Sequence, residues 1–431
     1  MTKFSVAFAP FATCAVLTAA SVLTVASAAP VSGPAVQATT AQQTYEQGTA
    51  ALRRGDLATA ASAFEAVLGI DPTRHDAILS LAEIARVQGN LAETDRRIRD
   101  AVARKPESAE VQLAFGKWSM SRGDVETARQ ALLKTTELDP ALGTPWADLG
   151  VLYLQALNDP AKAIDAFREA IKRSPSLAGA HYGLGASLLR AGKPDEAEIA
   201  LRKAAELDPQ QPATYDMLGR LYMLQGRGDD ALKEFERALT IQPGFTDARL
   251  GAGDLLMLAG RVDDAILAFT RATELDPGSA AAWLNLGMAE HGRGKLEAAE
   301  KAYRNAITAN ARLALAYNNL AAVLTDRKTD LEGAEVFAIK AVELAPNAAA
   351  FYDTLGWVRR ARGNLPGAAE ALQKAVAVSP QQPVFAYRLG VVLAEAKRTD
   401  EAKAALTSAL KLNDKFPGAD DARKRLADLG G

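Results

Sequence analysis

A proline recurs along most of the chain at intervals of 34 or 35 residues, with a single longer interval of 69 residues that corresponds to one missing proline. A single globular core has no need of such a period. The period indicates one supersecondary unit that is copied along the chain and stacked on itself. The prolines that set it are Pro72, Pro106, Pro140, Pro175, Pro209, Pro243, Pro277, Pro346 and Pro380.

Other residue types fall into columns when the chain is aligned on these prolines. One column is glycine, as at Gly226, which favours a left-handed turn between two helices. Small residues such as Gly219 and Ala231 lie on either side of this glycine, and a bulky residue such as Phe235 follows. Small residues let two helices approach closely, and the bulky residue fills the seam between them. The pattern therefore predicts antiparallel helix pairs.

These columns resemble the tetratricopeptide repeat, whose pattern is W-x2-L-G-x2-Y, then A-x3-F, then P. Trp146, Leu149, Gly150 and Tyr153 match the first part of that pattern. The resemblance implies an all-α solenoid, a right-handed superhelix of helix-turn-helix repeats over residues 41–416. Eleven repeats are predicted, beginning at Ala41, His75, Ala109, Gly143, Ala178, Pro212, Thr246, Ala280, Ala314, Ala349 and Pro383.

The first 28 residues differ in kind from the repeats. An apolar stretch follows Lys3 and ends in the small residues Ala-Ser-Ala at 26–28, which is typical of a secretory signal peptide. An uncleaved membrane anchor is the alternative, and only in that case is membrane contact expected. The single cysteine, Cys14, lies in this stretch, so the cleaved chain would hold no disulfide and no thiolate metal site. We therefore expect an exported bacterial protein, periplasmic or secreted.

Two further segments flank the repeats. Residues 29–40, which contain proline, serine and glycine, are predicted to be a flexible lead-in. Residues 417–431 are predicted to form a capping helix that covers the last repeat, with Ala422, Leu426 and Leu429 as its apolar stripe.

Composition and motifs argue against several functional classes. The net charge is −2 and no basic run occurs, so a nucleic-acid partner is not expected. The three histidines, His75, His181 and His291, lie in separate repeats without metal-ligand spacing. No phosphate-binding glycine loop is present. We therefore predict a protein without enzymatic activity, cofactor, metal or evident small-molecule substrate.

The resemblance also implies a binding surface. In the family, the second, fifth, ninth, twelfth and thirteenth positions of each first helix line a concave groove. Here these positions carry a largely apolar stripe, typical of a surface that contacts a protein or peptide segment. The alternative is that curvature buries part of the stripe between neighbouring repeats. Polar groove residues, among them Asp353 and Arg360, are predicted beside Trp357. The candidate residues are Leu154, Tyr182, Leu189, Met223, Leu224, Leu250, Met257, Leu258, Leu284, Met288 and Trp357.

The leading functional hypothesis is a non-enzymatic interaction scaffold of the cell envelope that holds a partner segment in its concave groove. A narrower alternative is an accessory protein of exopolysaccharide export or of an exosortase-linked system. Residues 353–357 and 416–419 resemble segments of repeat proteins from such systems. An alternative of another class is a regulatory subunit of an enzyme complex.

Overall fold

The computed structural model describes residues 34–430, which form 23 α-helices and no β-strand. These residues divide into two compact units, residues 34–122 and residues 123–430. The predicted signal peptide, with Cys14, and the start of the predicted lead-in lie outside the described range. Within it, no helix combines the length and the apolar character that crossing a lipid bilayer requires.

The first unit consists of α1 (Pro34–Arg53), α2 (Leu57–Ile70), α3 (His75–Val87), α4 (Leu91–Arg104) and α5 (Ala109–Ser121). Helix α1 pairs with α2, and α3 pairs with α4. The prediction that residues 29–40 are a flexible lead-in is wrong from Pro34 onward, because α1 begins there and not at Ala41. Proline suits the first position of a helix, since its missing N–H would have no partner inside the helix.

The second unit alternates first and second helices of successive repeats. It starts with a second helix, α6 (Val125–Leu138), and each later pair begins at or within one residue of the predicted repeat start. The pairs are α7 (Thr144–Gln155) with α8 (Pro160–Arg173), α9 (Ala178–Arg190) with α10 (Pro194–Leu207), α11 (Pro212–Leu224) with α12 (Gly228–Ile241), α13 (Thr246–Leu258) with α14 (Val262–Leu275), α15 (Ala280–Gly292) with α16 (Leu296–Ala309), α17 (Ala314–Asp326) with α18 (Leu331–Leu344), α19 (Ala349–Ala361) with α20 (Leu365–Val378), and α21 (Pro383–Glu395) with α22 (Thr399–Leu412).

A last helix, α23 (Ala419–Asp428), follows the final pair. Ala422 is fully buried, and Leu426 and Leu429 pack beside residues of the last pair that include Leu406. The predicted capping helix is confirmed, and with it the all-α solenoid of helix-turn-helix repeats.

The turns inside the repeats follow the predicted glycine column. Gly226 and Gly260 both have φ of 73°, a left-handed conformation that glycine adopts without a clash from Cβ. The fourth and ninth repeats carry an extra residue in this turn. There, Asn158 and Lys328 adopt φ of 50° and 54° without being glycine. Lys397, in the turn of the eleventh repeat, also has a positive φ of 59°, so this conformational cost is not confined to the two irregular turns.

An aromatic ring in each of two second helices wedges between consecutive first helices. The Phe235 side chain of α12 is fully buried. A Cβ added at Gly219 of α11 would lie 2.7 Å from its Cε1, and one added at Gly251 of α13 would lie 2.5 Å from the same atom. Phe167 has the same relation to the glycines of α7 and α9. The absence of a side chain at both glycines is thus what lets the ring enter the seam.

The helices of the second unit are not equivalent in their contacts with the next repeat. The backbones of α7 and α9, of α11 and α13, and of α17 and α19 approach each other, whereas no consecutive second helices of residues 123–430 do so to a similar extent. The side of the unit where helices crowd together is the inside of its curvature. The first helices therefore form the inner face of this unit, as the family resemblance implies.

The wedge predicts opposite effects for two glycine substitutions. Gly251→Ala is expected to destabilise the protein by about 1–3 kcal/mol, because the new methyl group would overlap the Phe235 ring. Gly179→Ala, in the first turn of α9, places its methyl group where no heavy atom lies within 4 Å. That control is expected to be neutral or to stabilise by up to about 1 kcal/mol. Urea denaturation followed by circular dichroism measures both. Equal effects of the two substitutions would contradict the wedge.

Candidate partner-binding face

The inner face of α9, α11, α13 and α15 contains most of the predicted binding residues. Residues four apart on a helix lie above one another, so each helix presents a short column there. Helix α11 contributes Asp216, Arg220 and Leu224, and α13 contributes Leu250, Asp254 and Leu258, at the fifth, ninth and thirteenth positions of their repeats. Side-chain exposure rises steeply along these columns.

Four of the predicted binding residues are buried. Leu154, Tyr182, Leu250 and Leu284 are each no more than 9% exposed. Leu250 and Leu284 belong to hydrophobic clusters in the repeat interior. Tyr182, Leu250 and Leu284 occupy the fifth position of their repeats, and Leu250 and Leu284 pack against residues of the next first helix. Leu154, at the twelfth position of the fourth repeat, is buried as well. The alternative of partial burial by curvature is the correct one at these four residues.

The remaining apolar candidates form an exposed rim. Leu224 and Leu258 are 70% and 74% exposed at the ends of α11 and α13, and Met288 on α15 is 46% exposed. Met223 and Met257 precede the two leucines and are half-buried, as is Leu189 on α9. Exposed leucines that no seam requires, next to adaptable methionines, are typical of a contact surface.

A group of charged residues, which we call the acidic cluster, lies below this rim. It consists of Asp216 and Arg220 on α11 and Asp247 and Asp254 on α13. Arg220 donates from Nε to Asp216 Oδ2 at 2.9 Å and from a terminal nitrogen to the Asp247 carbonyl oxygen at 3.1 Å. Asp254 Oδ1 accepts from the Asn285 side chain at 2.8 Å. Arg220 thus contacts one carboxylate directly, and the charges of Asp247 and Asp254 also act on it.

The acidic cluster is partly desolvated, and the pKa values reflect this. Burial raises the pKa of Asp254 from its ordinary 3.8 to about 6, and the Arg220 charge opposes the rise only in part. Burial also raises the pKa of Asp216, again against the effect of Arg220. Asp216 is 7% exposed, and its Oδ1 atom has no hydrogen-bond partner within residues 34–430. An unpaired buried carboxylate oxygen is costly, so Asp216 Oδ1 reduces the stability of the folded chain.

Trp357 on α19 has a different environment from the other candidates. The guanidinium carbons of Arg360 and Arg388 lie 4.4 Å and 4.8 Å from its ring centroid. Arg360 forms an ion pair with Glu395, and Arg388 forms one with Asp353. The half-buried indole is thus held by two arginines at the junction of α19 and α21. Asp353 is buried, contrary to its prediction as a groove residue, and burial raises its pKa to about 6.

A depression of about 640 Å³ lies away from the inner face, between α8, α9 and α10. Ile171, Leu184 and Leu188 form its apolar floor, and Ile199, 73% exposed, lies at its edge. Basic and acidic side chains alternate around it. Sequence reasoning did not identify this depression, because Ile199 lies on a second helix.

Residues 34–430 contain no group of three or more histidine, cysteine, aspartate or glutamate side chains that could hold a metal ion. His75 and His291 each contact one carboxylate, Glu110 and Asp326 respectively, at 3.4 Å.

The sequence prediction missed the acidic cluster because it selected only apolar residues from the groove positions. Asp216 and Arg220 occupy the fifth and ninth positions of the sixth repeat, and Asp247 and Asp254 occupy the second and ninth positions of the seventh. The same columns, searched for charge, would have found all four. Their burial could not have been found this way, since it depends on the spacing of neighbouring helices.

The raised pKa of Asp254 predicts a pH-dependent gain in stability for Asp254→Asn. The folded carboxyl keeps its proton up to about pH 6, whereas the unfolded one loses it near 3.8. The free energy of unfolding therefore falls between these pH values as ionisation becomes unfavourable in the folded state. Removing the charge is expected to stabilise by up to about 3 kcal/mol at about pH 8 and by little at about pH 4. Urea midpoints at both pH values measure this.

The matched control is Asp229→Asn, an exposed carboxylate in the first turn of α12. It removes the same charge without relieving burial, so no comparable gain is expected at either pH. A gain for Asp254→Asn that is the same at both pH values would contradict the interpretation.

The comparisons with known proteins agree with this geometry. Tetratricopeptide repeat models match residues 51–117, 150–212, 217–280, 250–314 and 359–426. Cellulose synthase operon protein C of Xanthomonas axonopodis pv. citri (strain 306) is 30% identical over 159 residues, which are 35% of this chain and 10% of that protein. Human tetratricopeptide repeat protein 7A is 26% identical over 159 residues, 37% of this chain and 18% of that protein.

The chain thus covers less than a fifth of the length of these two relatives. Among solved structures, the APC/C hetero-tetramer Cut9-Hcn1 contains a chain that is 15% identical, with a TM-score of 0.49 over 90% of this chain and 96% of that one. The paired helices, the glycine turns and the matches to the family models lead to one conclusion: the chain belongs to the tetratricopeptide repeat family.

Proposed function

We propose that this protein is a non-enzymatic scaffold that binds a segment of a partner protein along the inner face of α9, α11, α13 and α15. The observation that carries the proposal is the exposed rim of Leu224, Leu258 and Met288. These side chains contribute to no seam between helices, and exposed apolar residues in a row favour a contact surface. The tetratricopeptide repeat fold is typically a protein-binding scaffold, which supports the same function.

The chain offers closely matched variants for a test. Leu224 and Leu258 lie on first helices and are 70% and 74% exposed; Ile199 and Leu267 lie on second helices and are 73% and 71% exposed. Leu224→Ser with Leu258→Ser is expected to reduce partner capture about tenfold, whereas Ile199→Ser with Leu267→Ser leaves it unchanged. Both double variants should keep wild-type helicity, because neither creates an internal cavity.

The measurement is photo-crosslinking and capture from an extract of the source cells, with circular dichroism as the folding control. Loss of capture only in the second-helix variant would place the site on the second helices and refute binding at the inner face. Equal capture by all variants would refute binding at the inner face.

A second candidate function is an accessory role in exopolysaccharide export, or in an exosortase-linked system. The similarity to cellulose synthase operon protein C over 159 residues favours the export role. A regulatory subunit of an enzyme complex is the alternative of another class, and its partner would bind the same inner face.

We also propose that the protein is exported to the periplasm or secreted. The support is the apolar stretch that follows Lys3 and ends in small residues at 26–28. The mature protein is expected to begin near Ala29. Mass spectrometry of the protein purified from the envelope or medium of its source cells tests this. A protein that retains residues 4–25 would favour a membrane anchor and refute cleavage.

A further inference from the structure

We propose that the acidic cluster recognises a lysine or arginine side chain of the partner segment, flanked by apolar residues that contact the leucine rim. This inference rests on the proposed function of the inner face and specifies the chemistry of its partner. It arises from the charge balance of Asp216, Arg220, Asp247 and Asp254, not from any property of the repeat fold.

The first argument is charge complementarity. Three carboxylates face one guanidinium group, and Arg220 forms an ion pair with only one of them, Asp216. Its other hydrogen bond goes to a backbone carbonyl oxygen. A second arginine on the neighbouring helix α9, Arg190, donates instead to the Leu154 carbonyl oxygen and to the Asn158 side chain. The cluster therefore carries uncompensated negative charge on the face where a partner would lie.

The second argument is the state of the individual oxygen atoms. Asp247 is half-buried, and its carboxylate forms no hydrogen bond or ion pair within the part of the chain that the structure describes. Asp216 is buried, with 7% of its surface exposed, and its Oδ1 atom has no hydrogen-bond partner in the described residues. Unpaired buried polar atoms are rare in proteins, and a ligand is one established way to satisfy them. A cation that binds the Asp247 carboxylate would neutralise the negative charge that Arg220 leaves unpaired.

The third argument is the position of the apolar rim. Leu224 lies one helical turn beyond Arg220, and Leu258 lies one turn beyond Asp254. Lysine and arginine side chains have long apolar stems below their charged groups. A basic side chain would reach the carboxylates with its charge while its stem and neighbouring apolar residues contact the rim. A metal ion does not fit this role, since no described group of carboxylates has the geometry to hold one.

Binding of designed peptides tests the inference directly. The probe is a fluorescent peptide of repeated Ala-Leu-Lys-Ala blocks, and its matched control replaces lysine by norleucine, which has a similar stem without charge. Wild-type protein is expected to bind the lysine peptide at least about tenfold more tightly than the norleucine peptide, by anisotropy at low salt. The difference should shrink as salt is added.

The variants identify the carboxylates responsible. Asp247→Asn with Asp254→Asn is expected to weaken binding of the lysine peptide about tenfold and to leave norleucine-peptide binding unchanged. The control Asp229→Asn removes one charge from an exposed site on α12 and is expected to change neither. Circular dichroism confirms that each variant is folded.

The outcomes separate this inference from the proposed function. If both peptides bind equally to wild type and the leucine-rim variant loses both, the inner face binds partners but charge recognition is refuted. If the lysine peptide binds and Asp247→Asn with Asp254→Asn does not weaken it, the cluster is not the basic-residue site. If neither peptide binds, the inference is refuted, and partner capture by the leucine-rim variants alone decides the proposed function.

Discussion

The seam between a repeat and the next first helix is the constraint on which the second unit depends. Phe235 fits there only because two glycines, Gly219 and Gly251, leave room for its ring from opposite sides. The ring therefore fixes both the pairing within a repeat and the distance to the following one. Because protein interiors are close-packed, such a wedge allows little variation. Phe167 fits in the same way between α7 and α9, and these close approaches of first helices contribute to the inner face.

This dependence explains how much the sequence could predict. The seam needs small and bulky residues at fixed positions, and those positions recur with the repeat, so helix starts such as Ala178 and Thr246 could be predicted to within a residue. The start of α1 could not, because no preceding repeat imposes a column on residues 34–40. At the candidate site, exposure of Leu224 and Leu258 was predicted correctly. Burial at the fifth position was not, because it depends on the closeness of the next helix.

The acidic cluster differs from the packing columns, because its residues are not explained by the repeat pattern. Most columns of the repeat satisfy packing. Even Thr94, which stands in the column of small residues that includes Ala231, is accommodated because its hydroxyl donates to the Asn90 carbonyl oxygen. The Oδ1 atom of Asp216, in contrast, has no hydrogen-bond partner in the described residues. A buried carboxylate with an unsatisfied oxygen reduces stability, and an apolar residue of similar volume would avoid that cost. Its position beside the carboxylate of Asp247 is one of the observations that support the proposed basic-residue site.

Charge balance, and not the unpartnered buried oxygen that Asp216 and Asp353 share, distinguishes the two polar groups of the inner face. Around Trp357, Arg388 pairs with Asp353 and Arg360 pairs with Glu395, so charges there balance and join α19 to α21. Around Asp254 they do not balance, and the nearby rim is apolar and exposed. The ion pairs around Trp357 neutralise one another without a ligand. The acidic cluster, which lies beneath exposed leucines, has negative charge left for a cation to neutralise. The repeats thus supply a uniform scaffold, and specificity arises where single residues depart from what packing requires.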